Sequence, residues 1–436
     1  MAANDSTETP LLPTLPHELV EQITEYLDKS DLLSLRLVCN AEIVAATRRT
    51  FIKRHFWKRT HVYNFVGLQT LIDITADASL VKHIREIEVV PDPCNDYPPG
   101  DLFQFPGYAA QHMWSMFEAE QNWLKSHGAI MLRDVLKHLN EASHAVSFAV
   151  TRSEHSGHAY GSSAQGLTAR LAQAKLVVVP DTLNVQRCGA IVDALLAASS
   201  REAAPIRVLD VGYHGPGYGL SKGGLGFTGE ISSSSKTLWP ALTCLKIHAG
   251  IGPRSWDKSK GGRKGLTGLN DLIAAAPNIQ HFALNWAEAQ DLQDGAWAQV
   301  RPMAEIGEIM ARASLTTLEL GPCSLFPEKV IIDFVSAHTY SLRHLKLSNV
   351  GLELKSSWHR VLKLWADNMR LSKVDLARIW RGDFTVDQQG KEYNPCYILS
   401  SESGSQRHVY EGEEMVKQGL LQLVSTATEK EDGGKC

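Results

Sequence analysis

The sequence predicts an α/β protein in which short parallel strands alternate with helices, behind a small all-helical segment at the N terminus. Two observations lead to this fold class. First, an apolar template of the form φ-x-x-φ-x-φ, where φ is an apolar residue, recurs along most of the chain, and amphipathic segments separate its copies. Second, the N-terminal segment lacks this template and carries leucines at helical spacing instead.

Each copy of the template predicts a strand whose alternate residues point inward. The six clearest copies begin at Ile206, Leu242, Ile279, Leu315, Leu342 and Leu371, and weaker copies begin at Ile84 and Ala145. Predicted helices lie between copies at 191–197, 269–275, 330–335 and 361–365. A strand followed by a helix, repeated in this way, predicts an irregular α/β solenoid with parallel strands that is similar to a leucine-rich repeat.

The repeat departs from a regular leucine-rich repeat in two respects. Its spacing runs from about 27 to 37 residues, which is longer than the usual length of roughly 20–29. The asparagine that closes a standard repeat turn is mostly missing, and only Asn349 falls near that position. An ordinary α/β domain with a parallel sheet is therefore the alternative, and the strands run parallel in both.

Shifts in composition divide the chain into four parts. These are a disordered tail at 1–13, a helical segment at 14–55, the repeat region at 56–400 and a mostly flexible C-terminal tail at 401–436 with a short helix from Met415 to Val424. Within the repeat region, segments rich in proline, glycine or basic residues predict long loops at 91–107, 212–235 and 252–268. Long loops of a solenoid often form its binding face.

The N-terminal segment predicts three helices. Pro16 fits the start of the first, because the first turn does not need the N–H that proline lacks. Leu19, Ile23 and Leu27 then form one apolar stripe. The second helix is apolar around more than half of its circumference, so we expect one of its faces to meet a partner. The alternative is that these helices only cap a larger domain.

The residues from Leu15 to Cys39 follow the pattern Leu-Pro-x-Glu-Leu-x-x-x-Ile-x-x-Tyr-Leu-Asp-x-x-Asp-Leu-Leu-x-Leu-Arg-Leu-Val-Cys and closely resemble the F-box. The resemblance covers about a tenth of the chain. It implies binding to the Skp-type adaptor of SCF ubiquitin ligases and, through that adaptor, to cullin. Carried over by position, the residues of the shared core and adaptor-binding surface are Leu15, Pro16, Leu19, Ile23, Leu32, Leu35 and Val38.

One part of the F-box pattern is missing. The tryptophan that often follows the cysteine is absent, and Asn40-Ala41-Glu42-Ile43 stands there instead. The resemblance therefore leaves the strength of adaptor binding open. Further along, residues 51–56 and 65–72 are similar to the linker region of fungal F-box proteins.

Composition excludes several classes of function. A net charge of −4 and a pI near 6.5 argue against a general nucleic-acid binder, which would be strongly basic. The polar, acidic start is unlike a signal peptide, and no apolar run approaches the roughly 20 residues that span a bilayer. Seven scattered cysteines without metal-ligand spacing predict reduced thiols. We therefore expect a soluble protein of the cytoplasm and/or nucleus.

Catalytic and cofactor motifs are absent or out of context. Gly224-x-Gly226-x-x-Gly229 matches a dinucleotide-binding string, but it begins well after the nearest predicted strand and leads into serines, which favours a flexible loop. His155 and His158 have no third metal ligand nearby. The sequence therefore predicts no enzyme, no metal and no cofactor.

The predicted function is substrate recognition for an SCF-type ubiquitin ligase, with the repeat region holding a protein substrate. The candidate substrate-binding residues are Arg254, Trp256 and Arg263 in the basic glycine-rich loop, since exposed Trp and Arg often anchor interfaces. One alternative is a repeat scaffold that binds proteins without a ligase. Another is an enzyme on an α/β fold.

Overall fold

The computed structural model describes fifteen stretches of the chain. They are residues 15–38, 41–90, 108–150, 182–199, 202–212, 239–249, 269–270, 272–286, 296–321, 323–353, 355–382, 396–397, 400–401, 404–405 and 407–432.

Four short helices open the described chain. They are α1 (His17–Tyr26), α2 (Lys29–Val38), α3 (Ala41–Ala46) and α4 (Arg48–His55). The single third helix that the sequence predicted is thus divided at Thr47. The Thr47 hydroxyl contacts the Val44 carbonyl and accepts a hydrogen bond from Arg36. Because Thr47 keeps helical angles, with φ −81° and ψ −8°, α3 and α4 follow one another almost as one helix.

Strands and helices then alternate. The first half comprises β1 (Lys58–Val62), α5 (Phe65–Ala76), α6 (Ala78–Val81), β2 (Glu86–Val90), α7 (Tyr108–Glu141), β3 (Val146–Val150), α8 (Thr182–Ser199), β4 (Ile206–Val211), β5 (Cys244–Ala249) and β6 (His281–Trp286). Between β5 and β6 the described residues 269–270 and 272–275 are helical. These elements confirm the predicted strands at 206–211, 242–247 and 279–284 to within two residues.

The second half continues the alternation and adds short second strands. It comprises α9 (Ala296–Met310), β7 (Thr317–Leu320), β8 (Cys323–Phe326), α10 (Glu328–Ser336), β9 (His344–Ser348), β10 (Val350–Glu353), α11 (Trp358–Asn368), β11 (Lys373–Ala377), β12 (Trp380–Gly382), β13 (Cys396–Tyr397), β14 (Ser400–Ser401), β15 (Gly404–Ser405), β16 (Arg407–Glu411) and α12 (Glu413–Asp432).

The main sheet has ten strands within the described residues, and they follow one another in chain order. The order is β1-β2-β3-β4-β5-β6-β7-β9-β11-β16. Every neighbouring pair is parallel except β11 and β16, which run antiparallel. Successive helices contact one another, as α5 contacts α7 and α10 contacts α11. The fold is therefore α/β with a mostly parallel sheet.

The core lies between one face of this sheet and the helices. Each inner strand places two apolar side chains in it, such as Phe282 and Leu284 of β6 or Leu345 and Leu347 of β9. The helices contribute buried side chains such as Trp365 of α11. Alternate strand residues point to the other face, which we call the polar face. Its two rows of aligned residues include Asp210, Lys246, Cys244, His281, Glu319, Lys346, Lys373 and Asp375.

A second, smaller sheet lies beyond the carboxyl ends of the last strands. Its order is β13-β12-β10-β8, and β8, β10 and β12 are parallel. The turns into β10 and β12 use a left-handed residue, Asn349 with φ 56° and Arg378 with φ 53°. The Asn349 side chain accepts a hydrogen bond from Trp380 Nε1 at 3.2 Å. Asn349, which the sequence singled out, therefore helps to join the turn before β10 to strand β12.

The C-terminal prediction was wrong. The sequence predicted a mostly flexible tail from 401 onward and only parallel strands, whereas β16 closes the sheet in the antiparallel sense and α12 extends the predicted short helix to 20 residues. Two sets of contacts explain why these C-terminal residues are folded. Arg407 forms two hydrogen bonds with Asp375, at 2.8 and 2.6 Å. On α12, Val416, Leu420, Leu423 and Ala427 are buried in the core.

None of the helices in the described part of the chain is both long and apolar enough to cross a membrane.

The first strand gives a prediction about pH. His61 of β1 is fully buried, and burial, with a smaller contribution from Arg59, lowers its pKa to about 3. In the unfolded chain the pKa is near 6.5, so only the unfolded state gains a proton between these values. The stability that neutral His61 confers is therefore complete above about pH 6.5 and is lost as the pH falls toward 3.

We expect His61→Gln to reduce the loss of unfolding free energy between pH 7 and pH 5 by about 2 kcal/mol. Urea unfolding of both chains at both pH values measures this difference. His344→Gln, at an exposed histidine of β9, is the control and should leave the pH dependence unchanged. An equal loss in His61→Gln and the native chain would contradict the prediction.

Candidate adaptor-binding surface and polar sheet face

The first two helices begin at residues suited to helix starts. The Pro16 carbonyl accepts hydrogen bonds from the N–H groups of Leu19 and Val20, at 3.0 and 3.1 Å. At the start of α2, the Asp28 carboxylate accepts from the Asp31 N–H at 2.7 Å and from the Ser30 hydroxyl at 2.8 Å. These hydrogen bonds lower the pKa of Asp28. Pro16 therefore begins the first helix as the sequence predicts, and the Asp28 carboxylate caps the start of the second.

A small core holds the helices together. Val20, Ile43 and Ala46 are buried in it, and Leu15 and Leu35 pack against it. Leu32 is also fully buried. A core of this size involves one side of each helix, which leaves the remaining apolar side chains outside it.

Arg36 ties α2 to the next two helices. Its Nη1 donates to the Val44 carbonyl at 2.7 Å and to the Thr47 hydroxyl at 2.9 Å. Its guanidinium also lies 4.2 Å from the centre of the Phe51 ring. Burial, with a smaller contribution from Arg48, lowers the pKa of Arg36, and the two hydrogen bonds offset the cost of burying this charge. The apolar sides of α1 and α2 are therefore presented on a fixed scaffold.

Two exposed apolar stripes remain on these helices. On α1 the stripe consists of Leu19, Ile23 and Tyr26, and on α2 it consists of Leu33 and Leu37. Tyr26 is 90% exposed and Leu37 is 78% exposed. Members of each stripe are three or four residues apart and so share a helix face. We call these five residues the helical apolar surface. An exposed group of large apolar side chains is typical of an interaction site.

The structure separates the predicted adaptor-binding residues into three groups. Pro16, Leu19 and Ile23 are exposed. Leu15 and Leu35 are half-buried against the helical core, and Leu32 is fully buried. Val38 ends α2, and its side chain lies outside the described residues.

The predicted set omitted three exposed residues, Tyr26, Leu33 and Leu37. The sequence signal for them was the surplus of apolar residues around α2 and the continuation of the Leu19 and Ile23 stripe. The predicted substrate-binding residues Arg254, Trp256 and Arg263 lie outside the described residues.

The N-terminal helices join the sheet directly. β1 begins three residues after α4 ends. The Trp57 carbonyl accepts hydrogen bonds from the N–H groups of Arg85 and Glu86, at 2.8 and 3.0 Å. Arg59 Nη1 donates to the His55 carbonyl at 3.1 Å. Hydrogen bonds therefore link the last N-terminal helix to the first two strands.

The polar face carries ion pairs between neighbouring strands. Lys58 Nζ lies 2.6 Å from Glu86, His248 lies 3.3 Å from Asp210, and Glu319 contacts both His281 and Lys346 at 3.0 Å. Lys373 pairs with Glu411 at 2.5 Å. Pairing with His281 and then Lys346 lowers the pKa of Glu319 to about 2, and pairing with Arg407 lowers the pKa of Asp375. Positive and negative groups thus alternate along this face.

We call the strands and helices from β1 onward the sheet domain. A cavity of about 700 Å³ opens near its last strands, between the turn before β9, the turn before β11 and the start of α12. Its charged lining has both signs and consists of Arg343, Asp367, Arg370, Glu413, Glu414 and Lys417. Neither cysteine nor histidine is among the residues that line it.

Comparison with known proteins identifies the N-terminal segment. A scan against protein-family models matches residues 12–41 to the F-box-like family. The chain therefore contains an F-box-like domain, and the F-box resemblance predicted from Leu15 to Cys39 is confirmed. The match spans α1 and α2 and therefore includes all five residues of the helical apolar surface. A search of curated proteins found none that matches this chain.

Burial within the F-box-like domain yields a prediction about stability. We expect Leu32→Ala to lower the free energy of unfolding of the N-terminal helices by about 2–5 kcal/mol, because it removes a fully buried side chain. Leu37→Ala should change it by less than about 0.5 kcal/mol, because Leu37 is mostly exposed. Hydrogen exchange of the amides in α1 and α2 measures both. Equal protection in the two variants would contradict this assignment of core and surface.

Proposed function

We propose that this chain is a substrate-recognition subunit of an SCF-type cullin-RING ubiquitin ligase. The observation that carries the proposal is the helical apolar surface, which lies on the two helices matched by the F-box-like family model. F-box domains bind Skp-type adaptors. Exposed leucine and tyrosine side chains provide the apolar contact area that such an interface needs.

The sheet domain is proposed to be an irregular, leucine-rich-repeat-like solenoid of the kind found in fungal F-box proteins. The strand order supports this, because each new strand of the main sheet adds to the side of the preceding one. In the alternative, an open doubly wound domain, the order reverses at a switch point. The turns at Asn349 and Arg378, which recur at aligned positions, also support a repeat.

The proposed substrate region is the carboxyl edge of the sheet. Strands β2 to β6 end at Val90, Val150, Val211, Ala249 and Trp286, and these ends lie side by side because the strands are parallel neighbours. The predicted loops at 91–107, 212–235 and 252–268 all follow strands of this set. Arg254, Trp256 and Arg263 stay the predicted substrate contacts within the last of these segments.

The proposed mechanism is tethering. The F-box-like domain holds the adaptor, and through it cullin and the ubiquitin-charged enzyme, while the sheet domain holds the substrate. The hydrogen bonds that the Trp57 carbonyl accepts and that Arg59 donates would fix the two parts relative to each other. Proximity then raises the effective concentration of substrate near the thioester. In this proposal the chain acts in the cytoplasm and/or nucleus and supplies no catalytic group for ubiquitin transfer.

Two nearly fully exposed tyrosines allow a matched test of adaptor binding. Tyr26 lies on the helical apolar surface, and Tyr340 lies on the sheet domain and is 94% exposed. We expect Tyr26→Ser combined with Leu37→Ser to weaken adaptor binding at least about tenfold, since an interface anchor contributes roughly 2 kcal/mol or more. Tyr340→Ser should bind as the native chain does. Calorimetric titration of a Skp-type adaptor into each full-length chain measures the affinities.

Thermal melts of the same chains separate loss of contact from loss of fold, because none of these substitutions removes a buried side chain. The proposal fails if the double variant melts as the native chain does and still binds the adaptor with native affinity.

Partner sets in cells distinguish the ligase subunit from a scaffold that works without a ligase. We expect affinity purification of the native chain to recover adaptor, cullin and substrates. The Tyr26→Ser, Leu37→Ser variant should keep its substrates, which accumulate, and lose adaptor and cullin. Recovery of the same protein partners by both chains, with no adaptor or cullin in either, would favour the scaffold.

A further inference from the structure

Three chemically reactive side chains lie in order across three neighbouring strands of the polar face. Cys244 of β5 stands opposite His281 of β6 in the parallel register. His281 Nε2 lies 3.0 Å from a carboxylate oxygen of Glu319 on β7. The residues next to them along their strands, Leu245, Phe282 and Leu318, are buried in the core, so the three groups point to the opposite face.

The contacts within this cluster shift the pKa values of two of its members, His281 and Glu319. Hydrogen bonding to Cys244 and then to Glu319 raises the pKa of His281 to about 9. Pairing with His281, and then with Lys346, lowers the pKa of Glu319 to about 2. His281 is therefore an imidazolium near neutral pH and can donate a proton to a group that develops negative charge beside it.

The order of the groups suits proton transfer better than metal binding. His281 stands between the thiol and the carboxylate, whereas metal ligands converge on one point. In the part of the chain that the structure describes, no group of three His, Cys, Asp or Glu side chains is arranged to hold a metal ion. A nucleophile beside a base that a third group orients is the arrangement of activated cysteines.

We propose that Cys244 is a reactive thiol that hydroperoxides oxidise, with His281 as its proton donor and Glu319 positioning His281. The sulfur attacks one peroxide oxygen and the O–O bond breaks. The leaving oxygen takes the proton that His281 holds and departs as water, while the thiol releases its own proton to solvent, from which His281 is protonated again. The sum is thiol plus hydrogen peroxide giving sulfenic acid plus water.

Burial selects the size of the oxidant. Cys244 is only 8% exposed, so hydrogen peroxide, which is close to water in size, is the appropriate probe. This site goes beyond the proposed function, because adaptor binding involves the N-terminal helices and tethering needs no thiol. The outcome of its test is therefore independent of whether the chain binds the adaptor.

The pH dependence of the reaction depends on every charged group near the thiol. On the polar face the charged and titratable groups of these strands include Asp210 of β4, Lys246 and His248 of β5, His281 of β6, Glu319 of β7 and Lys346 of β9. Lys246 is two residues from Cys244 on the same strand and adds to the positive charge, whereas Asp210 is aligned with Lys246.

The experiment exposes the reduced, full-length chain to hydrogen peroxide at a series of pH values. Catalase stops the reaction, and the chain is then unfolded with dimedone and digested for mass spectrometry. Unfolding before trapping removes any effect of burial on detection. The six other cysteines of the chain serve as internal comparisons, namely Cys39, Cys94, Cys188, Cys323, Cys396 and Cys436.

At pH 6.5 we expect hydrogen peroxide to oxidise Cys244 in the native chain at least about tenfold faster than in His281→Gln, since a positioned proton donor contributes roughly 10²–10⁴-fold to such a step. Glu319→Gln should lie between them, because it removes the carboxylate that positions His281.

His248→Gln is the matched control. His248 also pairs with an acid on the polar face, Asp210 at 3.3 Å, but the thiol stands opposite His281 instead. This variant should keep the native rate and pH profile. The proposal is overturned if Cys244 stays reduced while other cysteines oxidise. It is also overturned if His281→Gln is oxidised at Cys244 at the native rate.

Discussion

Packing of two rows of apolar side chains between the main sheet and its helices is the interaction on which the rest of this structure depends. One row runs Ile87, Phe148, Leu209, Leu245, Phe282, Leu318, Leu345 and Val374, and the other runs parallel to it two residues further along each strand. Removing one such side chain costs about 2–5 kcal/mol, so the strand register is strongly fixed. Because alternate residues point to opposite faces, the same register forces the polar residues into rows on the other face.

The N-terminal helices show the opposite situation, in which a core is too small to use all of the apolar residues available. Val20, Ile43 and Ala46 form its buried centre, while Tyr26 and Leu37 stay outside. Small helical units bury a smaller fraction of their surface than large domains do. The helical apolar surface is therefore exposed because the F-box-like domain is small. It is also the surface that we propose binds the adaptor.

The sequence predicted the inner strands of the sheet but missed the two edge strands, β1 and β16. Inner strands repeat an apolar pair such as Leu345 and Leu347, which the template detects. At the edges the same two positions hold Arg59 and His61 in β1, and Tyr410 and His408 in β16. An edge strand has a neighbour on one side only, so polar residues replace the apolar pair and the template fails. In the F-box-like domain, helical spacing revealed the stripes, but only the packing of the helices against one another separates buried Leu32 from exposed Leu37.

Cross-strand pairing on the polar face bears on how the sheet domain would recognise a substrate. The pairs join residues such as His281 and Glu319 that are far apart in sequence, which is why no local pattern revealed them. Charges that already have partners contribute little to a new interface, because a substrate must first displace those partners. Specific recognition of a substrate then has to come from groups that are not part of these cross-strand pairs. Strands β2 to β6 end beside one another at the carboxyl edge of the sheet, which makes that edge the stronger location for the proposed substrate contacts.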